Sequence, residues 1–83
     1  MRFDVLLFEL RLFKSRSQAT AAIHAGHALL NGARAKPGHV ARPGDRVTFR
    51  LGAHVRTLEV LELPRGALSK EAARALVREV PAA

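Results

Sequence analysis

Lys14-Ser15-Arg16-Ser17 puts two cations and two hydroxyls side by side where a helix is expected to begin. Ser15 and Gln18 match a capping box, in which the hydroxyl accepts from a free backbone N–H and the Gln reaches back. A helix start also carries unpaired N–H groups and about half a positive charge. Phosphate is the natural ligand of such a point, and a guanidinium grips it through two parallel bonds, which an ammonium cannot do. Arg11 adds to the cluster, and Arg2 stands just before the first expected helix. Arg34, Lys36, Arg42 and Arg46 lie on the turns that follow.

Other chemistry finds less support. His24 and His27 are three residues apart, but Gly26 lies between them and no cysteine or nearby acid completes a ligand set, so no metal is expected. Asp4 and Glu9 do not fall at i, i+3 or i, i+4, which makes them a poor acid–base pair. Ser15 and Ser17 lack obvious His and carboxylate partners. His39 and His54 sit in turns, and Asp45 after Pro43-Gly44 reads as a turn residue. No catalytic constellation, cofactor site or small-molecule substrate is expected, and the chain reads as a binding protein rather than an enzyme.

The charge has a location. The 83 residues carry a formal charge of +7. Residues 1–50 hold nine Lys/Arg against three acids, and residues 51–83 hold five against four. A field of that sign points to a polyanion, while 48% apolar residues are too many for a disordered basic tail. The length fits one domain spanning 1–83, with a thin core and no deep cavity. No apolar run approaches a membrane span, and Glu9 and Arg11 interrupt the one segment that looks like a signal-peptide core. With no cysteine, a cytoplasmic address is expected, and nothing demands more than a monomer.

These residues need elements to position them. Phe3, Leu6, Leu7, Leu10 and Phe13 form a helical stripe over about Asp4–Phe13, with Asp4 able to cap or complement the dipole. Phe8 and Leu12 fall off the stripe, and either widen it or leave a patch for a partner. A second helix runs from the Ser15 cap to about Ala25, and Gly26 ends it. Asn31-Gly32 predicts a hairpin between Ala28-Leu29-Leu30 and Ala33-Arg34-Ala35. Arg46–Leu51 alternates as a strand, and Val55–Leu63 reads as a longer, central one. After Pro64-Arg65-Gly66, Ser69 and Glu71 open a last helix whose stripe is Ala72, Ala73, Leu76, Val77 and Val80, stopped by Pro81. The order is α+β.

Two helices and a turn also suit a DNA-binding helix-turn-helix, but Thr20, Ala21, Ala22, His24 and Ala25 are thin for reading base edges. Donors at a helix start and a hairpin suit a reader of backbone and shape, which favours folded RNA. A membrane-surface binder would need a basic amphipathic helix, whereas these cations cluster at turns. A protein adaptor would use Phe8 and Leu12.

Arg2-Phe3-Asp4, Lys14-Ser15-Arg16-Ser17 with Ala19 and Ile23, Gly26, Leu30-Asn31-Gly32 and Pro43-Gly44-Asp45 together resemble the αL RNA-binding domain named after small-subunit ribosomal protein S-four. The motif covers residues 2–51, and residues 55–80 add a strand and the C-terminal helix. Ala35-Lys36-Pro37, Arg56-Thr57-Leu58-Glu59-Val60 and the Ala-rich last helix look like stand-alone members, the fifteen-kilodalton ribosome-associated heat-shock protein and the RqcP-type quality-control factors. Phe3 replaces the family's usual Leu, Val5 a frequent Lys and Ala28 a Val. The resemblance implies two N-terminal helices packed on a small, mostly antiparallel sheet. It implies non-catalytic binding of ribosomal RNA and tRNA on large subunits that carry peptidyl-tRNA, beside a factor that tails the nascent chain. It makes Arg2 and Arg16 the principal RNA contacts, flanked by Lys14 and Ser15, with Asn31 and Gly32 carrying the hairpin. Taken with the charge map, the expected RNA-binding set is Arg2, Arg11, Lys14, Ser15, Arg16, Ser17, Gln18, Asn31, Gly32, Arg34 and Lys36.

Overall fold

Phe3, Leu6, Leu7 and Leu10 recur at i, i+3, i+4 and i+7, and all four are buried in the computed structural model, which describes residues 1–66 and 68–81. They lie on or just after α1 (Phe3–Glu9), which is followed by α2 (Arg16–His24), β1 (Ala28–Leu30), β2 (Arg46–Leu51), β3 (His54–Val60), α3 (Lys70–Arg74) and β4 (Val77–Val80). The strands form one antiparallel sheet in the order β1-β2-β3-β4. Ala28 pairs with Phe49, Leu30 with Val47, and Val47 with Leu58, so their side chains share the face that meets Leu6, Leu7 and Ile23 in the core.

Both N-terminal helices end the same way. After α2, Gly26 takes φ 76°, its N–H bonds the Ile23 carbonyl and the His27 N–H bonds Ala22. This is the predicted glycine stop. After α1 the same two bonds run from Arg11 to Phe8 and from Leu12 to Leu7, with Arg11 at φ 60°. The first helix therefore stops at Glu9 rather than at Phe13. Phe13 still reaches the core, from outside the helix, and sets its ring edgewise on Phe49 at 6.3 Å.

The Asn31-Gly32 turn forms, with both residues left-handed at φ 52° and 79° and Leu30 and Ala33 exchanging two bonds. The expected return strand ends after that one bridge, and β2 takes the pairing with β1 instead. Pro37 has no N–H for a ladder, and the start of α1 needs acceptors. The carbonyls of His39 and Pro37 supply them to the N–H groups of Phe3 and Asp4, at 2.8 and 3.0 Å.

The C-terminal stripe divides. Ser69 caps α3 through the Ala72 N–H as expected, but the helix ends at Arg74, and Val77–Val80 is a strand. Beta-branched Val77 and Val80 suit a strand, and β4 covers the otherwise open edge of β3. Arg78 then meets Glu59 at 2.7 Å and Glu79 meets Arg56 at 2.6 Å. The longer strand read as Val55–Leu63 runs from His54 and stops at Val60, leaving Leu58 and Val60 buried and Leu61 exposed. It is central, as expected.

Candidate nucleic-acid interface

Among the described residues Asp4 is the one buried charged side chain, 2% exposed. A carboxylate there must be paired and hydrogen-bonded. Five donors converge on it. Arg2 gives Nε to Oδ1 and Nη2 to Oδ2, both at 3.1 Å, and the Val5 N–H reaches Oδ1 at 2.8 Å. Arg16 Nε and Thr20 Oγ1 reach Oδ2 at 3.5 and 3.4 Å. Hydrogen bonding from Arg2 holds the Asp4 carboxyl below its ordinary pKa against the opposing effect of burial, helped by the Val5 N–H and the charges of Arg2 and Arg16. The same hydrogen bond raises Arg2 above its ordinary value.

The side chains of Arg2 and Arg16 are 52% and 53% exposed, so each guanidinium is tied on its inner side and open on its outer side. Arg2 also lies over the Gly38 backbone, where an added Cβ would sit 3.7 Å from its Cζ. Both side chains carry N–H groups that make no bond among the described residues. This is the form of a preset anion grip.

The α2 face continues the grip. Arg2, Asp4, Arg16, Ser17, Thr20, Ala21 and His24 line one shallow depression. The α2 members recur at i, i+1, i+4, i+5 and i+8, a strip about 12 Å long at the helical rise. Ser15 caps the helix by accepting from the Gln18 N–H at 3.1 Å, whereas the expected return bond from the Ser15 N–H to the Gln18 side chain does not form. At the other end Arg34 donates to the His24 carbonyl at 2.6 Å and lies over Gly26, 3.4 Å from where a Cβ would stand.

The rest of the expected set divides. Arg11 turns from that depression and donates to the Leu68 carbonyl at 3.0 Å. Lys14 lies with it in a separate apolar groove, which Arg16 also lines. Gln18 and Lys36 are exposed and Gly32 sits at the turn tip. Asn31 is internally engaged: its amide donates to Asp45 at 3.1 Å and accepts from the Arg46 N–H at 2.9 Å. Asp45 also accepts from the Arg42 N–H at 2.9 Å, in keeping with a turn residue.

Sequence reasoning underrated Asp4, which caps no helix from outside but sits in the first turn of α1 and organises two arginines. It also missed Thr20. The available signal was an acid two residues from one arginine of the motif and twelve from the other. Among the described residues no group of three His, Cys, Asp or Glu could hold a metal ion. No helix among them is long and apolar enough to cross a membrane.

The fold is α+β, and the model of the S4 domain, a small non-catalytic RNA-binding module, matches residues 1–47. The chain belongs to the S4 domain family. It is homologous to the RQC P-site tRNA stabilizing factor of Bacillus subtilis, 37% identical over 73 residues that make up 88% of this chain and 85% of the relative. The factor of the same description in Listeria innocua is 33% identical over 87% of this chain and 78% of its own. Among solved structures, the trimeric structure of Vibrio cholerae heat shock protein 15 superposes with a TM-score of 0.91, at 30% identity, over 96% of this chain and 81% of that one. The quality-control and heat-shock branches of the expected resemblance are both represented.

Proposed function

We propose that residues 1–83 act as one RNA-binding unit that grips phosphates of structured ribosomal RNA along the face of α2, and that it works in the cytoplasm on large ribosomal subunits carrying peptidyl-tRNA. The observation that carries this reading is the buried Asp4 holding Arg2 and Arg16 with their outer edges free. The relatives named as stabilizing P-site tRNA support the ribosomal setting. Arg2 and Arg16 take the phosphates, Ser17 and Arg34 extend the strip, and Lys14, Gln18 and Lys36 add charge and hydrogen bonds at its margins. Ser15, Asn31 and Gly32 hold the shape. Arg11 serves the neighbouring groove. A factor that tails the nascent chain fits as a partner on the same subunit, and one copy of the chain is enough to fill the site.

Co-sedimentation with large subunits isolated with peptidyl-tRNA tests this. Wild-type protein is expected to pellet with them, and Arg2→Ala plus Arg16→Ala to stay in the supernatant. A double variant that folds and pellets normally assigns the wrong face.

A further inference from the structure

Beside the α2 strip runs a second groove with a different lining. Phe8, Leu12 and Leu68 give it an apolar lining, and Phe8 is 41% exposed. Arg11 joins its two walls by bonding the Leu68 carbonyl. Lys14, Arg16 and Lys70 also line it, against the single carboxylate of Glu9. Lys14 and Lys70 have no ion-pair partner among the described residues. Arg16 lines both this groove and the phosphate strip, so the two are continuous.

An open aromatic face among unpaired cations, next to a phosphate grip, matches one kind of ligand. Unpaired nucleotides offer a flat base to stack and a phosphate on each side. We propose that this groove receives an unstacked nucleobase of the same RNA whose phosphates Arg2 and Arg16 hold, with Phe8 as the stacking wall and Lys14 and Lys70 facing the adjacent phosphates. The proposal rests on the RNA-binding reading above and gives it a specificity: RNA with an unpaired nucleotide beside a stem over uninterrupted duplex.

The chain contains no Trp and no Tyr, so Phe8→Trp installs a single indole in the groove. Two RNA probes are titrated, a stem with an unpaired loop and a fully paired duplex of equal length. The expected result is that both bind and only the stem-loop quenches the indole by more than about half, because only it can stack a base. Phe8→Leu keeps the apolar lining and removes the ring. It should weaken stem-loop binding about 5- to 50-fold and leave duplex binding unchanged, with an unaltered circular dichroism spectrum. Equal quenching by both probes, quenching by neither while both bind, or a Phe8→Leu variant with wild-type affinity for the stem-loop overturns the proposal. The last result would leave the groove to an acidic, apolar protein segment. Failure of both RNAs to bind overturns the reading beneath it, and the proposal with it.

Discussion

Replacing Asp4 with Asn sets two effects of opposite sign against each other. The variant removes a negative charge from beneath the proposed phosphate site. A phosphate on the outer edge of Arg2 or Arg16 lies about 7 Å from that carboxylate, where repulsion in water is worth about 0.6 kcal/mol. Charge alone therefore predicts roughly threefold tighter RNA binding. Against this, an Asn amide accepts through one oxygen instead of two and turns N–H groups toward the guanidiniums. Arg2 and Arg16 lose their anchor and must be ordered when RNA binds, at about 0.5–1.5 kcal/mol for each long side chain. The net expectation is weaker binding by about 0.4–2.4 kcal/mol, roughly two- to sixtyfold. Fluorescence anisotropy with a labelled ribosomal RNA stem-loop at low salt measures it, alongside Asp4→Ala. Folding must be checked, because losing charged hydrogen bonds to half-exposed partners costs about 2 kcal/mol, or roughly 10 °C in a domain of this size. Binding that tightens while the protein stays folded would refute the claim that Asp4 serves by orienting the arginines.

The remaining predictions follow from the same geometry. Because the Asp4 pKa is lowered on folding, its contribution to stability is fully present above about pH 4 and is lost as the pH falls through the lower folded value; acid titration by circular dichroism should show a steeper decline below pH 4 for wild type than for Asp4→Asn. Asn31→Ala removes two hydrogen bonds and forces alanine to a φ of 52°, so thermal unfolding should show a loss of about 1–3 kcal/mol. In a double-mutant cycle, Glu59 and Arg78 should couple by about 0.2–1 kcal/mol across β3 and β4, which a helix continuing to Val80 would not produce. If about five phosphates are neutralised, the logarithm of affinity should fall with that of salt at a slope near −4, and less steeply by about one for Arg2→Ala.

What was legible in the sequence was local. Ser15 with Gln18, Gly26, the Asn31-Gly32 turn and the Ser69 cap are short-range devices whose chemistry involves residues a few positions apart, and each stands where the pattern put it. The stop of α1 was hidden because Arg11 occupies the left-handed position where glycine is the usual signal. Val77–Val80 is too short an apolar pattern to distinguish strand from helix by period; the deciding factor, the open edge of β3, is a tertiary fact. The site divided in the same way. Arg2 and Arg16 could be named from motif and charge, but the contact that joins them runs through a buried carboxylate whose partners come from both helices and from the residue just before the first. Asn31, named with the site, turned out to spend its amide on Asp45 and Arg46.

Crosslinking the chain to RNA in cells and sequencing what it holds is the most direct test of the central claim, that arginines anchored by Asp4 bind ribosomal RNA. Wild-type protein is predicted to recover defined stretches of large-subunit ribosomal RNA together with tRNA, and Arg2→Ala plus Arg16→Ala to lose them. Reads spread across messenger RNA, or a ribosomal pattern that persists in the double variant, would contradict it.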